Sequence, residues 1–398
     1  MPARDGARRK RIVYVATDPY TAFRLMDGQL DYMKRRGFDV SAVTAPGPLL
    51  DRTAAREGVK AWQVPMERAT SPRKDLVTLT RLTLLFRRIR PDLVYAGTTK
   101  AGLLGVIAGR LAGVPAVVYH LRGLRYSTTA GLTRLTLQAA EHVAAGLADW
   151  VFCNSESLRR EFVAGGFTQL GKTWVPAHGS SNGVDVDRYV ATPARREWAR
   201  AERARLGIPE GATVVGFVGR FTRDKGLDEL SQAFELVGRA EGDHRLLAVG
   251  DFDDTDPLPD RVVRWMKHDP RVVVTGFVED AAPYYAMMDL FAFPSFREGF
   301  PNAPLEAAAA GLPTVGFRAV GTVDAVVDGQ TGILVPLGDA AALAEGILRY
   351  GRDPELRARH GQAAQARARA EFRREIVWEA LADRFAKIAT DIDRAHSR

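Results

Sequence analysis

The sequence predicts an α/β protein of two Rossmann-like, doubly wound domains facing a central cleft. Three observations predict it. At 398 residues the chain exceeds one ordinary α/β core and suits two domains. Short β-branched runs alternate with helix-patterned stretches, the signature of parallel sheet flanked by helices. The alternation breaks once, over Asn182 to Pro209, where glycine, proline and a charged run (Arg195-Arg196-Glu197, Arg200, Glu202-Arg203) read as a linker with one short helix. The expected boundaries are an N-terminal domain at 1–185, a C-terminal domain at 186–372, and a helix at 373–398 as a candidate for packing back on the N-terminal domain.

The elements follow in order. Strands are expected at Arg11–Thr17, Asp39–Thr44, Leu93–Ala96, Ala116–His120, Trp150–Cys153 and Thr173–Pro176. Helices are expected at Phe23–Arg36, Leu76–Ile89, Ala101–Ala112 and Thr133–Ala148, with Gly37, Arg90-Pro91 and Gly113-Val114-Pro115 as stops. After the break come strand Thr213–Val218, helix Leu227–Arg239, and strands Leu246–Val249, Val272–Thr275 and Leu290–Phe293. Helix Ala303–Ala310, strands Thr314–Phe317 and Gly332–Val335, and a helical tail from Pro354 to Arg398 complete the chain. Ligands of such folds bind outside the carboxyl ends of the strands.

Composition narrows the function. With 46% hydrophobic and 26% charged residues the chain is globular rather than disordered. The single cysteine, Cys153, excludes an internal disulfide, and following a hydrophobic strand it reads as buried packing rather than a nucleophile. No histidine or cysteine cluster has the spacing of a zinc-type site, and no lysine-bound cofactor signature is visible, so no cofactor is expected. The apolar run Ile12–Ala16 is too short for a secretory h-region, and Ala101–Tyr119 contains Arg110 and Pro115, so no membrane span and a cytoplasmic location are expected. Residues 1–190 hold 28 Lys/Arg against 16 Asp/Glu, a charge of +12, while the other 208 hold 28 against 32, or −4. That asymmetry points to an anionic partner on the N-terminal side, or else to arginine on solvated faces. Leu76–Ile89 is apolar at helical spacing, with Arg73, Lys74, Arg81, Arg87, Arg88 and Arg90 around it. It is either a core-facing helix with a basic outer face or a membrane-surface helix.

Two stretches carry the chemistry. Phe293-Pro294-Ser295-Phe296-Arg297-Glu298-Gly299-Phe300-Pro301-Asn302-Ala303-Pro304-Leu305-Glu306 runs from a strand end through a loop into a helix that Asn302 can cap. Amides left free at such a start suit an anionic or hydroxyl-rich ligand, and Glu298 and Glu306 can accept from vicinal hydroxyls. The alternative is that both glutamates merely favour the helix N-terminus through its dipole. Gly216-Phe217-Val218-Gly219-Arg220 with Lys225-Gly226 places two cations on a glycine turn after a strand, a fitting diphosphate clamp, or surface cations paired to Asp224 or Asp228. The glycine spacings of a P-loop and of a dinucleotide fingerprint are absent.

The spaced pair Glu298 and Glu306, inside Pro294-Ser295-x-x-Glu298-Gly299-Phe300-x-x-x-x-Leu305-Glu306-Ala307-x-Ala309-x-Gly311-x-Pro313, resembles the motif of the retaining nucleotide-sugar glycosyltransferases of family 4, which have the GT-B fold. Gly219-Arg220 with Lys225-Gly226, Asn182-Gly183-Val184-Asp185, Val249-Gly250-Asp251, Gly276-Phe277-Val278 and Asp328-Gly329-x-x-Gly332-x-Leu334-Val335 resemble the family's other landmarks, in order. Ser71-Pro72-Arg73-Lys74-Asp75-Leu76, Arg90-Pro91-Asp92-Leu93-Val94 and Lys100-Ala101-Gly102-Leu103-Leu104-Gly105 look like the subset that builds capsular and other surface polysaccharides. The likeness spans about residues 10 to 370.

The resemblance implies roles. Glu298 would hold the donor sugar and Glu306 the ribose. Arg220 and Lys225, beside Gly219, would bind the diphosphate and stabilise the leaving group. The backbone around Val278 would meet the nucleobase, and the loop of Gly299, Phe300, Pro301 and Asn302 the sugar and phosphates. For the family's histidine after the fifth strand, His120-Leu121-Arg122-Gly123 offers two residues: Arg122 by ungapped matching through Gly123, or His120 two positions earlier. Asp18-Pro19-Tyr20 replaces the glycine-rich loop usual after the first strand, and Phe252 stands where glycine is usual. The implied enzyme is a metal-independent, retaining hexosyltransferase using a UDP-sugar and a glycan or polyprenyl-diphosphate-linked acceptor. It would sit in the cytoplasm or peripherally on the inner face of the cell membrane, its N-terminal domain against an anionic surface. A sugar-nucleotide epimerase or phosphorylase of the same fold is the nearest alternative. A non-enzymatic basic nucleic-acid-binding protein is another; no interleaving of aromatic with basic residues supports it, so no nucleic acid is expected. A catalytically idle partner in a polymerising complex is the third.

Overall fold

The computed structural model describes residues 8–67, 69, 71–240, 242–254 and 256–396. The chain divides into two compact units, residues 1–182 with 374–398, and residues 183–373.

Unit 1 runs β1 (Arg11–Val15), α1 (Pro19–Leu25), α2 (Gln29–Arg35), β2 (Asp39–Thr44), α3 (Pro48–Glu57), β3 (Lys60–Gln63), α4 (Pro72–Ile89), β4 (Leu93–Gly97), α5 (Thr99–Leu111), β5 (Ala116–Leu121), α6 (Gly131–Leu147), β6 (Trp150–Cys153), α7 (Glu156–Ala164) and β7 (Thr173–Trp174). The sheet order is β3-β2-β1-β4-β5-β6-β7, and every pairing is parallel. Central strands of such a sheet are covered on both faces, which is why β1, β4 and β5 are mostly apolar, with Arg11 at the start of β1 and His120 near the end of β5 as exceptions. Because the order reverses between β1 and β4, right-handed crossovers send α1, α2 and α3 to one face and α4, α5, α6 and α7 to the other.

Unit 2 runs α8 (Val186–Tyr189), α9 (Pro193–Arg205), β8 (Thr213–Val218), α10 (Leu227–Val237), β9 (His244–Val249), α11 (Asp260–His268), β10 (Val272–Val274), α12 (Ala282–Tyr285), β11 (Leu290–Phe293), α13 (Asn302–Ala309), β12 (Thr314–Phe317), α14 (Thr322–Ala325), β13 (Gly332–Val335), α15 (Ala340–Arg352) and α16 (Pro354–Glu371). Its parallel sheet has the order β10-β9-β8-β11-β12-β13. The switch point therefore lies between β8 and β11, and the loops leaving those two strands carry the motif residues. The last helix, α17 (Arg374–His396), returns to unit 1. Its Leu381, Phe385, Ile388 and Ile392, at helical spacing, join Ile12, Tyr14 and Tyr95 in one buried cluster.

Two expectations need correction here. The helix expected at Phe23–Arg36 is two, α1 and α2, because Gly28 turns the chain at φ 77° and a side chain there would strike the Trp378 ring. The strand expected at Thr173–Pro176 stops at Trp174. The replacement at Asp18-Pro19-Tyr20 starts α1, with the Asp18 carboxylate accepting from Thr21 N at 3.0 Å and Pro19 in the first turn.

Candidate active site

In unit 2, the loops after β8 and β11 are locked together by backbone. Gly226 has φ 70°, and a Cβ there would come within 1.9 Å of the Pro294 carbonyl oxygen, so only glycine allows this approach. Phe296 N donates to Asp224 O at 2.9 Å. Arg297 Nη2 pairs with Asp224 Oδ2 at 2.7 Å, while the Thr222 hydroxyl donates to Asp224 Oδ1 at 2.6 Å. Burial of Asp224 opposes its ionisation, but Lys225, Thr222, Arg297 and Arg220 outweigh it and hold the carboxyl below its usual range.

This scaffold sets two motif residues side by side. Lys225 Nζ donates to Glu298 Oε1 at 2.6 Å, and the buried Ser295 hydroxyl donates to the same oxygen at 2.9 Å. Both side chains of the pair are largely shielded, so their mutual attraction exceeds that of a surface pair. Arg220 differs: its side chain is 58% exposed and its Nη1 meets Asp253 Oδ2 at 2.5 Å. Such an exposed pair is worth little and gives way readily to a stronger anion.

Glu306 lies one turn into α13, where Oε2 accepts from the Tyr285 hydroxyl at 2.7 Å. Tyr285 is fully buried, and burial together with the Glu306 charge pushes its phenol well above the ordinary value, so it stays a donor. Asn302 is not the cap of this helix: Pro301 occupies that position and Asn302 is the first helical residue, with no side-chain bond to the backbone. Gly299, Phe300 and Pro301 lie buried on the approach to α13. Gly276 bridges Gly250 by backbone, which brings the segment leading to half-buried Val278 alongside the chain after β9. Gly219 donates its N–H to Val249 O at 3.0 Å beside the same segment. Phe252 packs edge-on against Phe221, its ring filling space a glycine would leave empty.

In unit 1, His120 and Arg122 follow each other out of β5. His120 is 1% exposed, its Nε2 lies 2.6 Å from Asn154 Oδ1, and its ring stacks on Tyr95. Burial, then the nearby Arg122, pulls its pKa well below the ordinary value despite Asn154, so the imidazole is neutral. His120 Nδ1 and Arg122 Nε are both buried without a hydrogen-bond partner among the described residues. Among the described residues no group of three or more His, Cys, Asp or Glu is gathered as a metal site requires.

Two family models match the chain: "Glycosyl transferase 4-like domain" over residues 27–170 and "Glycosyl transferases group 1" over residues 212–353. The chain is also 31% identical to the capsular polysaccharide biosynthesis glycosyltransferase CapM of Staphylococcus aureus, over 90% of this chain and 92% of that one. The chain belongs to the family 4 glycosyltransferases. An Escherichia coli relative of this glycosyltransferase, UDP-Gal:alpha-D-GlcNAc-diphosphoundecaprenol alpha-1,3-galactosyltransferase, is 27% identical over 82% of this chain and 84% of its own. Among solved structures, Anabaena HepE in complex with UDP-glucose superimposes with a TM-score of 0.77 at 23% identity, covering 95% of this chain and 99% of that one. That likeness shows the GT-B fold.

The glycosyltransferase thus brings Arg220, Lys225, Gly219, Glu298, Gly299, Phe300, Pro301, Asn302, Glu306 and Val278 into unit 2, with His120 and Arg122 in unit 1. Sequence reading missed Asp253, Tyr285 and Asn154, the partners of Arg220, Glu306 and His120. Ser295 stood in the motif, and its place between a strand end and Glu298 was the available signal.

Proposed function

We propose that this glycosyltransferase moves a hexose from UDP onto a hydroxyl of a glycan or polyprenyl-diphosphate-linked acceptor in surface polysaccharide synthesis, with retention and without a metal. The observation that carries it is the Lys225–Glu298–Ser295 cluster beside exposed Arg220, at the switch point of unit 2. A diphosphate arriving there draws Arg220 from Asp253 and Lys225 from Glu298. Glu298 is then released toward the sugar hydroxyls, and Glu306 accepts from the ribose. The acceptor oxygen bonds to the anomeric carbon on the face from which the nucleoside diphosphate departs. The bond to the β-phosphate oxygen breaks, and that oxygen takes the acceptor proton. The two cations, now paired with the diphosphate, face the developing charge and supply the stabilisation. In unit 1, neutral His120 gives its Nε2–H to Asn154 Oδ1, which leaves Nδ1 an acceptor, with Arg122 a donor two residues on.

The UDP reading is supported by HepE, whose structure holds UDP-glucose, and by the E. coli relative, whose name pairs UDP-Gal with a diphosphoundecaprenol acceptor. CapM supports the polysaccharide setting. The enzyme is read as cytoplasmic and peripheral on the inner membrane face, through the exposed Arg73, Lys74, Arg81, Arg87 and Arg88 around α4. No helix among the described residues is long and apolar enough to cross a membrane. Nucleotide sugars should be screened for release of nucleoside diphosphate, with and without a lipid-linked acceptor, in excess EDTA. UDP release that rises with acceptor and survives EDTA, with an α-linked product from an α-linked donor, is expected. A strict Mg²⁺ or Mn²⁺ requirement, or an inverted product, would overturn the mechanism.

A further inference from the structure

The amino edge of the unit 1 sheet carries a cationic cavity. Arg11, Asp39 and Lys60 open β1, β2 and β3, and the parallel register sets Arg11 beside Asp39 and Lys60 beside Ser41. These strand starts, the last turn of α2 and the end of α3 surround a cavity of about 270 Å³. Arg8, Arg9, Arg11, Lys34 and Lys60 line it, with Asp39 as the one carboxylate among the lining residues. Buried Phe38 and Val40 and half-buried Val59 add apolar surface.

Some of these cations build the walls and others stand free. Lys34 Nζ donates to the carbonyls of Glu57 and Gly58 at 3.0 and 3.2 Å, closing the end of α3. Gly58 has φ 62°, the left-handed region that glycine favours, and a Cβ there would come within 2.5 Å of that nitrogen. Arg8 pairs with Asp92 at 2.8 Å. Arg11 Nε stands 3.6 Å from Asp39, beyond hydrogen-bond reach, and an exposed pair of that kind yields readily to a stronger anion. Arg9 and Lys60, both exposed, make no hydrogen bond or ion pair among the described residues. Arg9, Arg11 and Lys60 are thus available to a ligand from two separate segments of chain.

We propose that this cavity is a second anion site of the enzyme, taking a phosphate monoester of monosaccharide size. A tetrahedral dianion can meet cations from several sides at once, whereas a planar carboxylate is satisfied by one guanidinium fork. A water takes up about 30 Å³, so the cavity spans about nine waters, room for a sugar phosphate. It falls short of the roughly 300 Å³ at which pockets for drug-sized ligands begin, and so is too small for a nucleotide sugar. The sugar ring would lie against Phe38 and Val59, with its phosphate toward Arg9, Arg11 and Lys60. The proposed donor residues Arg220, Lys225 and Glu298 belong to unit 2. His120 and Arg122 leave the opposite, carboxyl edge of the unit 1 sheet, where such folds bind their usual ligands, and the five residues of β1 set the two edges about 17 Å apart. The inference therefore goes beyond the proposed function and stands or falls apart from it.

Calorimetry on the full-length enzyme, with UDP held in excess, tests it, and UDP titrated alone reads the donor site separately. Glucose 6-phosphate should bind one to one at low salt, at least tenfold tighter than inorganic phosphate, and glucose should give no binding heat. Arg9→Gln/Lys60→Gln should weaken that binding at least tenfold while leaving UDP affinity and melting temperature unchanged, both side chains being exposed. In the wild type, glucose 6-phosphate should slow amide hydrogen exchange over 38–40 and 58–60. This second arm needs no substitution and decides the matter if the double variant melts early. No saturable binding, undiminished affinity in a folded double variant, or protection confined to the loops after β8 and β11 would overturn the site. Inorganic phosphate binding as tightly as glucose 6-phosphate would overturn the monosaccharide assignment.

Discussion

The carboxylate of Glu306 accepts from the buried Tyr285 phenol, so its removal acts on the fold as well as on the ligand. Glu306→Ala leaves that phenol only the Ala303 carbonyl at 3.4 Å, a cost of about 1–3 kcal/mol, and removes the proposed ribose contact. Tyr285→Phe in the same chain should restore much of the stability, since the orphaned donor is gone, but not nucleotide affinity. Urea unfolding and calorimetry separate the two, and unchanged UDP affinity in a folded Glu306→Ala enzyme would remove Glu306 from the site. Arg220→Ala and Lys225→Ala should each lower kcat about 10²-fold, as loss of a preorganised charge donor does. Asp253→Asn, which frees Arg220 without touching the ligand, should stay within a few fold of wild type in steady-state assays. The motif residues were legible because glycines, cations and carboxylates at short range mark a loop entering a helix. Their partners were not: Asp253 is 33 positions from Arg220, Tyr285 is 21 from Glu306, and Asn154 is 34 from His120. Sheet topology alone brings these together.

At the scale of elements, the buried strands declared themselves through short, mostly apolar runs, since a strand covered on both faces has no polar side to alternate. β3 did not, because it is a four-residue edge strand with Lys60 and Gln63 exposed. α3 and α7 were also missed, their apolar positions being few and their starts set by Gly47-Pro48 and by the Ser155 cap. The split of α1 from α2 depends on Trp378, more than three hundred residues downstream, which no local pattern reveals. α6 was expected, but the inward direction of Glu141 was not. Burial raises the Glu141 pKa to about 7 even though the Tyr119 bond works the other way. The folded state thus binds this proton more tightly than the unfolded chain does, so stability falls as pH rises from about 4.5 through 7 and levels off above. A shift of that size corresponds to at most about 3 kcal/mol. Glu141→Gln keeps a partner for Tyr119 and removes the titration. Its stability should match wild type near pH 5 and exceed it at pH 8, and parallel urea curves at both pH values would contradict the buried carboxylate.

On the scale of the whole molecule, charge divides along the structural units more sharply than along the sequence halves. Unit 1 holds 32 Lys/Arg against 19 Asp/Glu, or +13, and unit 2 holds 24 against 29, or −5. On the proposed function the acidic unit takes the anionic donor, and the local cations Arg220 and Lys225 would offset its charge. The basic unit has no such single focus; its cations include the α4 series, exposed along one helix. Each Lys or Arg held near an anionic bilayer contributes about 1 kcal/mol, and the field fades within a Debye length of about 10 Å at 0.1 M salt. Binding to phosphatidylglycerol vesicles should therefore weaken steeply as salt is raised toward 0.5 M. Changing Arg73, Lys74, Arg81, Arg87 and Arg88 together to glutamine should cost at least tenfold in affinity at low salt by co-sedimentation. Those side chains are exposed, so the variant should keep its melting temperature and its donor affinity. Equal binding of wild type to neutral vesicles, or no loss in the glutamine variant, would mean that the +13 of unit 1 serves solubility and that the acceptor is met in solution.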